Sequence, residues 1–234
     1  NQVRIMSFIK ADRISKHFGF GKNTLNVLSD VSFEIEQGEN VSIVGPSGAG
    51  KSTLLNLIGC LDFFQSGSLS IGGKNISSLS ISEISKFRNR NLGFIFQANN
   101  LLPEFTALEN VMIPLLVRRT SPKKAKNKSL ELIEKFGLLD RIHHKPSELS
   151  GGECQRITVA RALAGDPSII LADEPTGALD RKNSDNLMEF LFSLAKEKNC
   201  TLITVTHDQS IAAKTGRIIT LIDGKIANGG QHEN

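Results

Sequence analysis

The chain has no apolar stretch long enough to matter to a bilayer: its longest run, Val111 to Val117, contains Pro114 and falls far short of the ~20 residues that a spanning helix needs. It also lacks the charged, apolar and small-residue succession of a secretory signal, so the expected location is the cytosol. Asn1 is no initiator, and Met6 is the candidate for one. Cysteine is scarce. Cys60, Cys154 and Cys200 are odd in number, far apart and without metal-ligand spacing, which reads as reduced structural thiols. A dense Lys/Arg stripe is missing too. The net charge is only +4 and the cluster Lys123, Lys124, Lys126, Lys128 suits the solvated face of a helix, so nucleic acid is not an expected partner. Neither internal repeats nor low-complexity segments stand out. What remains is an ordinary globular composition, 39% hydrophobic and 22% charged over 234 residues, enough for one large α/β domain.

Periodicity and punctuation give the order of elements. Val31 to Glu36 alternates apolar and polar as a half-buried strand does, Gln37-Gly38-Glu39 turns, and Val41 to Val44 forms a more buried strand. A Gly-rich loop follows, and then Leu54, Leu55, Leu57, Ile58 and Leu61 recur at helical spacing from Lys51 onward. Leu69 to Ile71 before Gly72-Gly73 suggests a small hairpin, and Leu92 to Phe96 a further strand. The region 106–147 is different, with helical patterns at 106–117 and 122–137. Strand and helix alternate again afterwards: helix 151–164, strand 168–172, helix 180–198, strand 201–205, helix 208–214 and a hairpin at 217–227. Such alternation predicts a mostly parallel sheet covered by helices, interrupted by a helical insert.

Gly45-Pro-Ser-Gly48-Ala-Gly50-Lys51-Ser52 matches G-x-x-x-x-G-K-S/T and lies between a buried strand and a helix, where that motif must lie. Its glycines permit the dihedrals that let successive backbone N–H groups curl around phosphate oxygens, while the following helix presents its positive end. Lys51 is expected to reach the β- and γ-phosphates, and the Ser52 hydroxyl to ligate Mg²⁺. Ile169 to Ala172 is a buried-strand run that ends in Asp173-Glu174, at the strand end where α/β sheets bind ligands. Asp173 suits a hard cation. Glu174 can accept a proton from an attacking water as general base.

Leu149-Ser150-Gly151-Gly152-Glu153, followed by Gln155-Arg156 and a helix, resembles the signature of ABC ATPases. The residues themselves give a second helix start with a hydroxyl and two glycines, either a helix cap or a second anion site. The resemblance covers roughly Phe8 to Ala227 and implies an α/β fold: a P-loop NTPase core, an N-terminal antiparallel β subdomain and an inserted helical subdomain. It implies one ABC ATPase domain, with about 8–96 and 165–227 as catalytic core and about 97–164 as the Q-loop and helical subdomain. It further implies that ATP is held by Gly45, Pro46, Ser47, Gly48, Ala49, Gly50, Lys51, Ser52 and Thr53, with Phe18 stacked on adenine where most relatives use Tyr. Gln97 is similar to the loop glutamine that touches metal and water, so Ser52, Gln97 and Asp173 form the expected Mg²⁺ set. Ala178-Leu179-Asp180 resembles the D-loop that crosses a dimer interface, and His207 the switch histidine on the γ-phosphate. Two such subunits pack head to tail in the family, so Ser150, Gly151, Gly152 and Glu153 are expected to meet the ATP of the other copy.

Within the family, Leu101-Leu102-Pro103-Glu104-Phe105-Thr106-Ala107-Leu108-Glu109-Asn110-Val111, with Pro114-Leu115-Leu116 after it and Ala172 to Gly177 later, is similar to the lipoprotein-release (Lol) and macrolide-exporter group. The implied partners are integral membrane permease subunits, and the implied substrates lipoproteins. The implied location is peripheral, at the cytoplasmic face of the inner membrane. A macrolide or peptide exporter ATPase and a division-associated regulatory ATPase stay open as alternatives. Leu101, Leu102 and Phe105 either receive a coupling helix of the membrane subunit or pack the helical insert.

Overall fold

The computed structural model describes residues 7–19, 21–177 and 179–227; Met6 and Ala178 lie outside the described residues. The first elements are β1 (Ile9–Phe18), β2 (Leu25–Ile35), β3 (Asn40–Val44), α1 (Lys51–Ile58), β4 (Ser66–Ile71) and β5 (Lys74–Asn75). Next come α2 (Ile81–Asn91), β6 (Leu92–Ile95), α3 (Ala107–Val117), α4 (Pro122–Lys135) and α5 (Gly151–Leu163). The chain continues with β7 (Ile169–Asp173), α6 (Arg181–Glu197), β8 (Thr201–Val205), α7 (Gln209–Ala212), β9 (Arg217–Ile222) and β10 (Lys225–Ile226). Two compact units result, one from Asn1–Ile84 with Ala195–Asn234, the other Ser85–Leu194.

The first unit holds an antiparallel sheet in the order β2-β1-β4-β5. Its β2 buries Val31, Phe33 and Ile35 while Ser32 and Glu34 face outward, as the alternation predicts. The same unit carries β10-β9-β3-β8, in which β3 runs parallel to both β8 and β9. Val41 and Ile43 of β3, with Leu202 and Ile203 of β8, are fully buried, which is the continuous apolar run expected of strands covered on both faces.

β1 and α2 were not visible as periodic segments. The register of β1 slips between Ala11 and Ile14, where Arg13 has φ +49°; the bulge resets the inward phase from Ile9 and Ala11 to Ile14 and Lys16. α2 buries only Ile84 and Phe87. It is started instead by a capping box, in which Ser80 N and Oγ donate to Glu83 at 2.9 and 2.6 Å.

In the second unit β6 and β7 are parallel, and α3, α4 and α5 pack on one another. Buried Asn110 of α3 closes the preceding loop: its Nδ2 donates to the carbonyls of Leu102, Phe105 and Thr106, and its Oδ1 accepts from Leu102 N at 2.8 Å. These hydrogen bonds, with one of the two N–H groups shared between carbonyls, repay the desolvation of one amide.

Candidate active site

In the first unit, β3 delivers the chain to the phosphate loop. Gly48 and Gly50 have φ +79° and +97°, and a Cβ on Gly50 would stand 2.8 Å from Val27 O, so the loop conformation excludes larger residues there. Lys51 Nζ donates to the carbonyls of Gly45 and Pro46, at 2.8 Å each. These bonds pin the loop onto its own lysine. Gly50 is the N-cap of α1 and no side chain caps that helix start, so its first N–H groups face outward as an anion cradle.

His207 follows buried β8, is exposed, and lines a cavity of about 570 Å³ together with Gly45, Val44, Thr206 and Gln209. The first glycine of the phosphate loop and the predicted switch histidine therefore share one hollow. Phe18 belongs instead to the antiparallel sheet, where it pairs with Leu25 and keeps 45% of its surface exposed. The loop segment Pro46–Gly48 and Ser52 are exposed, and Thr53 is half-buried.

The second unit carries the other predicted residues. Asp173 ends β7 half-buried. Glu174, next to it, has φ +45°, an expensive left-handed conformation for a residue with a side chain. That kink ends the strand and starts a turn in which Gly177 N donates to Glu174 O at 3.1 Å. Gln97 lies beside the same turn, since a Cβ on Gly177 would be 3.8 Å from Gln97 Cγ and 3.5 Å from Glu174 O. Gln155, 1% exposed on α5, donates from Nε2 to Pro175 O at 2.6 Å. Signature helix and acidic turn are thereby tied together.

Ser150 is the N-cap of α5 and makes a complete capping box: its N and Oγ both donate to Glu153 Oε2 at 2.8 Å, and its Oγ accepts from Glu153 N at 3.3 Å. Arg141 Nε donates to the other oxygen, Oε1, at 2.9 Å. The amide and hydroxyl of Ser150, then Arg141, hold the Glu153 carboxyl down at about 2. Gly152 lets Leu179 approach, because a Cβ there would be 3.3 Å from Leu179 Cδ2. Asp180 caps α6, accepting from Asn183 N at 2.9 Å and Nδ2 at 2.7 Å, which lowers its pKa.

Two participants carried no readable signal of their own. Arg141 is twelve residues from Glu153, and Gln155 reaches Pro175 only through the packing of α5. Lys16, whose Nζ lies 4.6 Å from the centroid of the Phe18 ring, does have a trace in sequence, its two-residue spacing from Phe18 on one strand face.

The family model described as "ABC transporter" matches residues 28–177, well over half of the chain. The chain belongs to the ABC transporter family. Among its relatives is the "Lipoprotein-releasing system ATP-binding protein LolD" of Bacteroides thetaiotaomicron, 49% identical over 93% of this chain and 98% of that protein. A "Macrolide export ATP-binding/permease protein MacB" of Mannheimia succiniciproducens is 47% identical over 94% of this chain, which spans only 34% of that longer protein. Among solved structures, a dimeric post-hydrolysis state of the ATP-binding cassette MJ0796 bound to ADP and Pi has a TM-score of 0.88 at 41% identity, covering 94% of this chain and 97% of that one. The α/β cassette fold implied by the signature is the fold observed, and the chain is an ABC-type ATPase.

Proposed function

We propose that this ATPase is the ATP-hydrolysing subunit of a lipoprotein-releasing system. It acts as a homodimer on the cytoplasmic face of the inner membrane, where it drives separate permease subunits. The observation that carries the reading is 49% identity to a lipoprotein-releasing subunit over 98% of that subunit's length. No helix among the described residues is long and apolar enough to cross a membrane; in the proposed system the permease subunits supply the spanning helices. Leu102 and Phe105, each 42% exposed on the loop fastened by Asn110, are suited to receive a helix of that partner.

The roles follow from the chemistry. Gly45, Ser47, Gly48, Ala49, Gly50 and Thr53 surround the phosphates with backbone N–H groups, Pro46 shapes the loop without donating, and Lys51, pinned by its loop carbonyls, turns its remaining N–H toward the β- and γ-oxygens. Ser52, Asp173 and Gln97 offer hydroxyl, carboxylate and amide oxygens, a hard donor set that fits Mg²⁺ completed by substrate phosphate. When bound, the ion neutralises charge developing on the β/γ oxygens. Water attacks the γ-phosphorus, its proton passes to Glu174, and the bond to the bridging oxygen of ADP breaks. His207 contacts the γ-phosphate, and Phe18 stacks on adenine. Ser150, Gly151, Gly152 and Glu153 of the second copy complete the pocket, with Asp180 at the interface. The catalytic core is assigned to about 8–96 and 165–227, and the Q-loop and helical part to about 97–164.

The test is reconstitution. Co-purified with its membrane partners and placed in proteoliposomes, the complex should release an acylated lipoprotein only with ATP. ATP-dependent efflux of a macrolide without lipoprotein release would give the exporter reading instead.

A further inference from the structure

We infer that Lys16 is a positioning residue for the adenine platform, a cation set beneath Phe18 so that the ring is fixed before nucleotide arrives. The inference rests on the proposal that Phe18 stacks on adenine, and it goes beyond that proposal by naming what holds the ring.

A buried lysine is costly unless its ammonium is paired and hydrogen-bonded. Lys16 is 6% exposed, and its Nζ has three occupied directions. It donates to Asp62 Oδ1 at 2.8 Å and to Phe63 O at 2.6 Å, and it sits 4.6 Å from the centroid of the Phe18 ring. An ammonium has three donors, and the third is spent on a ring face at cation–π distance. Strand geometry puts Lys16 and Phe18 on one side of β1, two residues apart. Lys16 is the inner of the two and Phe18 the exposed end.

The segment that receives the ammonium follows α1, the helix opened by the phosphate loop. It is stapled to the same strand end: Gln65 Oε1 accepts from His17 N and its Nε2 donates to His17 O, both at 3.0 Å, and Gln65 N donates to Ser15 O at 3.0 Å. Lys16 therefore joins the aromatic ring to the chain leaving α1. Phe18 keeps 45% of its surface open, so ring area remains for a base after one face has met the cation. A ring pre-set in one rotamer loses less freedom on stacking, which favours binding. An aliphatic side chain at this position would fill the space and leave the ring free to turn.

The experiment measures, on the full chain with magnesium, the affinity of ATP and of inorganic tripolyphosphate, which has the phosphates but no base. Lys16→Met, which keeps most of the stem and removes the charge, should weaken ATP by about three- to tenfold and leave tripolyphosphate unchanged. Lys16→Gln, which retains N–H donors for Asp62 and Phe63 O, should do the same and serves if the Met variant does not fold. Adding Lys16→Met to Phe18→Ala should cause no further loss of ATP affinity. Equal weakening of both ligands would make Lys16 a support of the fold, and unchanged ATP affinity would give it no part; either result overturns the inference. If Phe18→Ala itself leaves ATP binding intact, the stacking role falls and this inference with it. A normal Phe18→Ala response beside a silent Lys16→Met removes the inference alone.

Discussion

The helix after the phosphate loop and the helix after the signature both open with glycine and hydroxyl residues, yet their first turns are closed in opposite ways. At α1 no side chain caps the backbone; Gly50 is in the left-handed region and Lys51 grips the loop carbonyls. At α5 the cap is complete, with Ser150 and Glu153 satisfying each other's N–H groups and Arg141 holding the carboxylate. One helix start is built open, and its conformation is one that glycines adopt without strain. The other is a self-sufficient helix first, whose Ser150 proton is already given to Glu153. Under the proposed function, Ser150 donates to phosphate only by re-aiming that hydroxyl, while the phosphate loop needs no such exchange.

The largest expected effect separates the two starts from hydrolysis. Glu174→Gln touches neither, so ATP binding should persist while turnover falls on the order of 10²–10⁴-fold, the range for a positioned general base; single-turnover kinetics with radiolabelled ATP measure it. The next effect sets one start against the other. Ser150→Arg and Lys51→Ala should each be inactive as pure proteins, Lys51→Ala by about 10²–10³-fold as for loss of a preorganised donor. A mixture of the two should regain turnover from one intact composite site, and a mixture as dead as its parts would break the pairing of the two starts.

Smaller effects concern stability. Gly50→Ala forces a Cβ toward Val27 O at a left-handed φ and should cost roughly 1–3 kcal/mol by denaturant unfolding. Ser150→Ala removes a true cap and should cost about 1 kcal/mol. The smallest is a pH effect. Glu153 has its pKa lowered from 4.5 to about 2, so its contribution is fully present above pH 4.5 and disappears as the pH falls toward 2. Glu153→Gln should flatten the stability curve within that window, and an unchanged acid limb would argue against the Arg141–Glu153–Ser150 arrangement.

Legibility in the sequence follows the same division. Features formed among neighbours in the chain left clear marks: the glycines and Lys51 of the phosphate loop, the buried run before Asp173, the Ser150-x-x-Glu153 box. Strand β8 was read at 201–205, where it lies, because Thr201-Leu-Ile-Thr-Val205 is a short, mostly β-branched run. The helix at Lys51 was expected to reach Leu61 but ends at Ile58; Gly59 and then Cys60, at φ +54°, stop it although the apolar spacing runs on. β1 was hidden by its bulge at Arg13, and α2 by having too few apolar residues to show a period. Contacts between residues distant in sequence, such as Gln155 with the Pro175 carbonyl or Lys16 with Asp62, had no local pattern to betray them. Leu102 and Phe105 were ambiguous between packing and docking, and their exposure is a property of the folded loop alone.

The central claim is that two copies enclose ATP, each with its open helix start against the other's capped one. Light scattering on the Glu174→Gln protein tests it most directly. The mass should be near 25.5 kDa without nucleotide or with ADP, and should double with ATP. A mass that stays at the monomer value with ATP, or one that is dimeric whatever the nucleotide, would contradict it.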